Sequence, residues 1–274
     1  MDFVINNAAA ILVLVMAGCA AGFIAGLFGV GGGVVVVPVI YFILQGLKVD
    51  AALAMPMAVS TSLATIVPTA LSSVRAHHRL NNIDWPLVKR LAPTLLIGVL
   101  LGSQLIAHLR TEGFVIFFGI FLLLIAINII WRGNRKAYLS QLPAPWIQAL
   151  VAALVGGISA VAGVGGGATG VPLLTAASVP VHRAIGSCAA FGFLVSSVGA
   201  LSILATTATP AEAPPGTWKL IYLPGLFALI PLTVLMAPRG AALGKRLNPI
   251  LLRKLFACVL VIGSARILYS VWAG

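Results

Sequence analysis

The chain has 274 residues, of which 61% are hydrophobic and only 8% are charged, and its formal net charge is +12. Because a soluble domain carries about 25% charged residues, this composition excludes a soluble globular protein and predicts a surface that mostly faces lipid. The basic residues are neither gathered on a soluble face nor interleaved with exposed aromatic residues, so nucleic acid is not an expected partner.

The first half of the chain contains five apolar segments separated by short polar stretches. At about 20 residues per membrane crossing, the full chain has room for roughly eight to ten crossings. The stretch Arg75–Arg90 after the third segment carries His77 and His78, which we expect to lie in a solvated loop. The five segments cover residues 8–28, 34–45, 51–74, 86–108 and 113–131.

The second half repeats this plan. A shift of 138 residues superposes Pro86 on Pro224 and Pro93 on Pro231. An internal repeat determines the architecture of a chain, so we divide the sequence into a first transmembrane repeat, residues 1–137, and a second one, residues 138–274. The apolar segments of the second half cover residues 146–162, 168–177, 184–206, 220–238 and 252–272.

A glycine-rich string occurs once in each half. The residues G-V-G-G-G stand at Gly29–Gly33 and at Gly163–Gly167, and in both copies a proline follows five residues after the last glycine. Three consecutive glycines weaken a helix by about 1 kcal/mol each, and a membrane tolerates a broken helix only where it is buried in protein or lines a wet cavity. The predicted binding backbone is Gly29, Gly31, Gly32, Gly33 and Pro38 in the first copy, and Gly163, Gly165, Gly166, Gly167 and Pro172 in the second.

The helix that restarts after each break presents free N–H groups and the positive end of a helix dipole, which attract anions. Two such ends that face each other would form a small anion-binding chamber, because discontinuous helices at a repeat interface are where transporters bind substrate. The alternative is close helix packing, which Gly22, Gly26 and Gly33 could serve alone. A phosphate-binding P-loop is excluded, because no Lys-Ser/Thr follows the glycines.

Loop charge predicts how the two halves are oriented. If every apolar segment crosses, 13 of the 17 basic residues fall on one side, which the positive-inside rule makes cytoplasmic. Both termini then lie outside the inner (plasma) membrane, and an odd number of crossings per half inverts the second half. If residues 34–45 and 168–177 are instead re-entrant, the halves run parallel, and Arg239–Lys254 lies opposite the other basic loops.

The predicted fold is therefore an all-α polytopic membrane protein. Its roughly ten transmembrane segments form two inverted five-segment repeats with glycine-broken helices.

Few polar side chains inside the apolar segments are candidates for substrate contact. Hydroxyl groups can bind the oxygens of an anion or bond back to their own helix, and we single out Ser60, Thr61 and Ser187. Arg266 is the only charged residue well inside a segment, and it is close enough to the segment end to reach the membrane surface. The three cysteines lack metal-ligand spacing, so no metal, cofactor or catalytic residue is expected.

The duplicated pattern G-x-x-x-G-x-x-G-V-G-G-G-x-x-x-x-P resembles that of the sulfite exporter TauE/SafE family of membrane permeases. The first copy fits throughout, whereas the second has Ala160 where the first has Gly26, which loosens one packing position. The resemblance covers nearly the whole chain. It implies transport of a small sulfur-containing anion, such as sulfite or an organosulfonate.

We therefore expect a secondary transporter that is not an enzyme and works by alternating access, with a proton or sodium as the coupling ion. One alternative is a transporter or channel for another small anion, such as a carboxylate or an inorganic ion. A membrane-embedded enzyme is the third class, but it would need titratable residues grouped in the membrane, and Arg266 is the only candidate.

Overall fold

The computed structural model describes residues 2–106, 108–109, 112–132 and 143–272. These residues form ten α-helices and one antiparallel β-hairpin. Helices suit an apolar chain in a bilayer, because each helix pairs its own backbone N–H and C=O groups. The elements are α1 (Asp2–Phe28), α2 (Gly33–Gly46), α3 (Ala51–Arg79), α4 (Trp85–Ile106), α5 (Glu112–Arg132), α6 (Pro145–Val161), α7 (Gly167–Ala176), α8 (Val181–Thr206), β1 (Thr217–Trp218), β2 (Ile221–Tyr222), α9 (Leu223–Arg246) and α10 (Pro249–Trp272).

Four of the described helices, α3, α4, α8 and α9, are long and apolar enough to cross a bilayer. Shorter apolar stretches occur within α1, α2, α5, α6 and α10. Helix α2 has 14 residues and α7 has 10, so their lengths are about 21 Å and about 15 Å, less than the ~30 Å hydrocarbon core. The all-α membrane architecture is confirmed, whereas the number of crossings stays a prediction.

Two predicted basic loops are wrong in extent. Helix α3 continues through Arg79 and α4 begins at Trp85, so most of the predicted loop Arg75–Arg90 is helical and His77 is only 2% exposed. Helix α9 likewise continues to Arg246. Cationic side chains are stabilised in the last turn of a helix by its negative end, so polar composition did not mark where these helices end. The predicted boundary at residues 137 and 138 lies outside the described residues.

Helices α1, α3 and α9 run in the same direction. Gly22 packs against Thr233 and Gly26 packs against Ala237, so contacts advance together along α1 and α9. The hydrogen bonds of α3 advance in the same way, pairing Thr61 with Tyr222, Thr69 with Thr233 and Ser72 with Val234.

Helices α4, α6 and α8 run in the opposite direction. Helix α8 is antiparallel to α3, because Leu63 packs near Gly199 whereas Asn82 packs near Gly186. The contacts of α4 are parallel to both others, pairing Val99 with Gly199 and Ser103 with Ser202 on α8, and Gly98 with Ala153 and Gly102 with Gly157 on α6.

The two halves of the chain are interleaved. Helix α1 packs most closely on α9, and α6 packs most closely on α4, so the first helix of each half lies against the fourth helix of the other. The outward faces of the bundle are apolar and suit contact with lipid. Examples that are more than half exposed are Leu101, Leu105, Leu235 and Ile262.

Candidate functional site

The two glycine-rich breaks contact each other directly. A Cβ built on Gly33 would lie 2.3 Å from the carbonyl oxygen of Gly163, and one built on Gly167 would lie 2.2 Å from that of Gly29. A shift of 134 residues converts one contact into the other, so the contact is reciprocal. The opposite backbone therefore excludes any side chain at Gly33 and at Gly167.

The breaks differ in conformation although their five residues are identical. Three glycines of the first break have φ in the left-handed region that favours glycine, namely Gly29 (65°), Gly31 (79°) and Gly32 (85°). In the second break Gly163 has a φ of 63°, whereas Gly166 has a φ of −49°. Gly163 ends α6 in the manner of a helix C-cap, since its N–H bonds to the Ala160 carbonyl.

Each break lies beside the middle of a long helix. Gly33 packs near Ile66 of α3, and Gly166 packs near Phe191 of α8. The short helices α2 and α7 end four residues before α3 and α8 begin, so each runs from the middle of its long helix back to its start. Because α3 and α8 are antiparallel, the N-terminal ends of α2 and α7 point toward each other at the centre of the protein.

These helix ends carry the positive potential predicted from the sequence. Among the described residues, no backbone hydrogen bond is donated by the N–H groups of Gly33, Val34 or Gly167, as expected for the first turn of a helix. In this conformation the carbonyl oxygens of Gly163 and Gly29 lie close to these ends. The predicted chamber is therefore closed, and an anion can reach the amides only when the breaks separate.

The hydroxyl group that contacts a break belongs to Ser62, which donates to the Gly163 carbonyl at 2.7 Å. Ser60 and Thr61 instead donate to carbonyls of their own helix four residues earlier, each at 2.7 Å. Sequence reasoning selected Ser60 and Thr61 and left Ser62 out of the site. Helical spacing was the available signal, because Ser62 shares a face with Ile66, which packs on the breaks.

Thr61 and Ser187 each anchor a loop of the opposite half. Thr61 Oγ1 accepts the N–H of Tyr222 at 2.9 Å, and Ser187 Oγ accepts the N–H of Asp84 at 3.0 Å. A shift of 138 residues relates Asp84 to Tyr222. Burial raises the pKa of the Tyr222 hydroxyl, so it stays neutral near pH 7. Substrate contact by Ser60, Thr61 and Ser187 stays a prediction.

The remaining candidates lie around the breaks. Pro38 and Pro172 lie inside α2 and α7, where each removes the N–H that would pair with the carbonyl four residues earlier. Pro172 also lines a cavity of about 410 Å³ between α5, α6 and α7. Arg266 is exposed on α10. Within the described part of the chain, no group of three His, Cys, Asp or Glu side chains could hold a metal ion.

Comparison with known proteins places this architecture. Residues 14–267 match the family model described as sulfite exporter TauE/SafE. A probable membrane transporter protein of Haemophilus influenzae is 32% identical over 92% of this chain and 96% of its own length. Another from Bacillus subtilis is 23% identical, over 94% of this chain and 97% of its own. A third, from Methanocaldococcus jannaschii, is 26% identical over 90% and 91%. No solved structure matches. The chain belongs to the sulfite exporter TauE/SafE family of membrane transporters.

Proposed function

We propose that the protein is a secondary transporter for a small sulfur-containing anion, such as sulfite or an organosulfonate. The anion binds between the two glycine breaks near the membrane midplane and is moved by alternating access. The observation that carries the proposal is the reciprocal contact of the breaks at the facing N-terminal ends of α2 and α7, because such ends attract anions. The substrate class follows the description of the matching family model.

The helix directions support two inverted repeats with about ten crossings. Helices α1 and α6, the first helices of the two halves, run in opposite directions. Because α1 and α3 are parallel, the break and α2 between them lead the chain back across the bundle. A re-entrant α2 would leave α1 and α3 antiparallel, so the observed directions favour a full return crossing.

The distribution of charge supports one orientation of the bundle. The ends of α1, α3 and α9 lie with the starts of α4, α6 and α8, and this end carries Arg79, Arg90, Arg183 and Arg246. The opposite end carries both signs, with Lys48, Asp50, Glu212 and Lys219. The positive-inside rule then makes the first end cytoplasmic in the inner membrane, with both termini outside.

The loop anchors suggest how access alternates. Ser187 anchors residues 80–84 at the proposed cytoplasmic end, and Thr61 anchors the β-hairpin on the opposite side. Release of one anchor while the other stays bonded would open the breaks to one side at a time, as alternating access requires. The coupling ion is a proton or sodium.

Flux measurements on purified protein in liposomes test this proposal. We expect saturable uptake and counterflow of labelled sulfite and of a short alkanesulfonate. Uptake of carboxylates alone would replace the substrate class, and flux that does not saturate would indicate a channel. If folded, reconstituted protein transports no sulfite, sulfonate or carboxylate, the anion-transport proposal is wrong.

A further inference from the structure

His77 lies where two helices end. It is in the last turn of α3, and its Nε2 atom is 2.9 Å from the carbonyl oxygen of Gly26 in the last turn of α1. A carbonyl oxygen can only accept, so Nε2 carries the hydrogen. In the neutral ring the other nitrogen, Nδ1, is therefore an acceptor with a free lone pair.

Two buried polar atoms on this part of α3 lack a hydrogen-bond partner among the described residues. They are Nδ1 of His77 and Oγ of Ser73, whose residues are 2% and 1% exposed. Four residues separate them, so their side chains lie on one face of the helix, one turn apart. Buried polar groups are almost always paired in native proteins, so two adjacent exceptions indicate a missing small ligand.

A proton is a ligand that satisfies both atoms. Bound at Nδ1, it converts the imidazole to an imidazolium that can donate to Ser73 Oγ, while Nε2–H continues to donate to Gly26. The C-terminal ends of α1 and α3 converge on the ring, and the negative ends of two helix dipoles stabilise a positive charge there.

The surrounding charges are accounted for as follows. Of the described titratable and charged side chains on α3 and its packed neighbours, His182 at the start of α8 acts electrostatically on His77, and like charges on the two rings oppose each other. The other such groups are Cys19, Tyr41, Arg75, His78, Arg79, Arg183, Cys188, Tyr222, Arg239, Lys245 and Arg246.

We propose that His77 and Ser73 form a proton-binding site, and that this proton is the ion coupled to anion movement. The coupling role rests on the proposed transport function. Gly26, the partner of His77, lies three residues before Gly29, where the first break begins. The corresponding carbonyl in the second half, that of Ala160, bonds to the N–H of Gly163, so only the first break is tied to a titratable side chain.

The binding site is tested without any substrate. NMR of ¹⁵N-histidine-labelled protein in lipid nanodiscs follows each imidazole between about pH 5 and about pH 9. His77→Gln identifies the signal and keeps an N–H group for Gly26, and His78→Gln is the control for an exposed neighbour. We expect the His77 ring to become protonated in this range, and its midpoint to fall by about one pH unit in Ser73→Ala. A ring that stays neutral, or an unchanged midpoint in Ser73→Ala, overturns the site.

Coupling is tested with a short alkanesulfonate, which stays ionised throughout the range, whereas sulfite itself titrates. The readout is its accumulation in liposomes with and without an imposed pH gradient. We expect this ratio to fall to about one in His77→Gln and to remain as in the wild type in His78→Gln. A retained ratio in His77→Gln overturns the coupling role.

Should His77→Gln transport nothing, Ser73→Ala decides the question. It must then move the pH of half-maximal accumulation by the same unit, and no shift overturns coupling. Absence of alkanesulfonate flux in every protein, including the wild type, overturns the coupling role and the sulfonate substrate, while the NMR titration still judges the proton site.

Discussion

Neighbouring glycines in the second break have different physical reasons to be glycine. A Cβ on Gly167 would lie 2.2 Å from the backbone oxygen of Gly29, whereas one on Gly166 would lie 3.1 Å from the Phe191 side chain. We expect Gly167→Ala to lower the free energy of unfolding by about 1–3 kcal/mol through overpacking and to abolish anion flux. Gly166→Ala should cost less than about 1 kcal/mol. Thermal unfolding and flux of the two purified variants check this, and equal stability would contradict the contact.

The hydroxyl of Ser62 is the next residue with a distinct expected effect. Its loss leaves the buried Gly163 carbonyl without this partner, so Ser62→Ala should destabilise the protein by about 1–3 kcal/mol. Ser60→Ala is the matched control, because the Ser60 hydroxyl bonds within its own helix and should cost less. Denaturation of both variants in detergent compares them, and a larger loss in Ser60→Ala would refute the role given to Ser62.

Sequence alone identified the residues of the breaks but not their partners. The glycines stood out because backbone freedom and close approach leave a trace in the residue type itself. Ser62 was indistinguishable from Ser60 by type, since the difference is the face of α3 that each occupies. His77 was expected in water because basic neighbours surround it, yet it is buried by α1, an element far away in the sequence.

Among the elements, the two anchored loops should open independently. Thr61→Val keeps the side-chain shape and removes the acceptor for the Tyr222 N–H, and Ser187→Ala does the same for the Asp84 N–H. We expect about tenfold faster hydrogen exchange of the released amide. Exchange measured by mass spectrometry in nanodiscs should change at the β-hairpin in the first variant and at residues 80–84 in the second. Changes at both loops in each variant would contradict separate gates.

At the scale of the whole molecule, composition and repeated apolar segments were enough to predict an all-α membrane protein. The interleaving of the halves could not be predicted, because α1 and α9 meet through glycines and small residues whose sequence pattern does not name a partner helix. The basic ends of α3 and α9 were correctly assigned to one side by charge, although their residues are helical. Charge reports the side of the membrane and not the local structure.

That assignment leads to a labelling prediction. Lys89, Glu212 and Lys245 are all exposed, and each can be replaced singly by cysteine, with the wild-type chain and its cysteines as background. If the halves are inverted, Glu212→Cys reacts with a membrane-impermeant maleimide in intact cells, whereas Lys89→Cys and Lys245→Cys react only after permeabilisation. If α2 and α7 are re-entrant, the halves run parallel and Lys245→Cys reacts from outside while Lys89→Cys does not. The pair Lys89 and Lys245 therefore separates the two topologies, because only inversion places both basic ends in the cytoplasm.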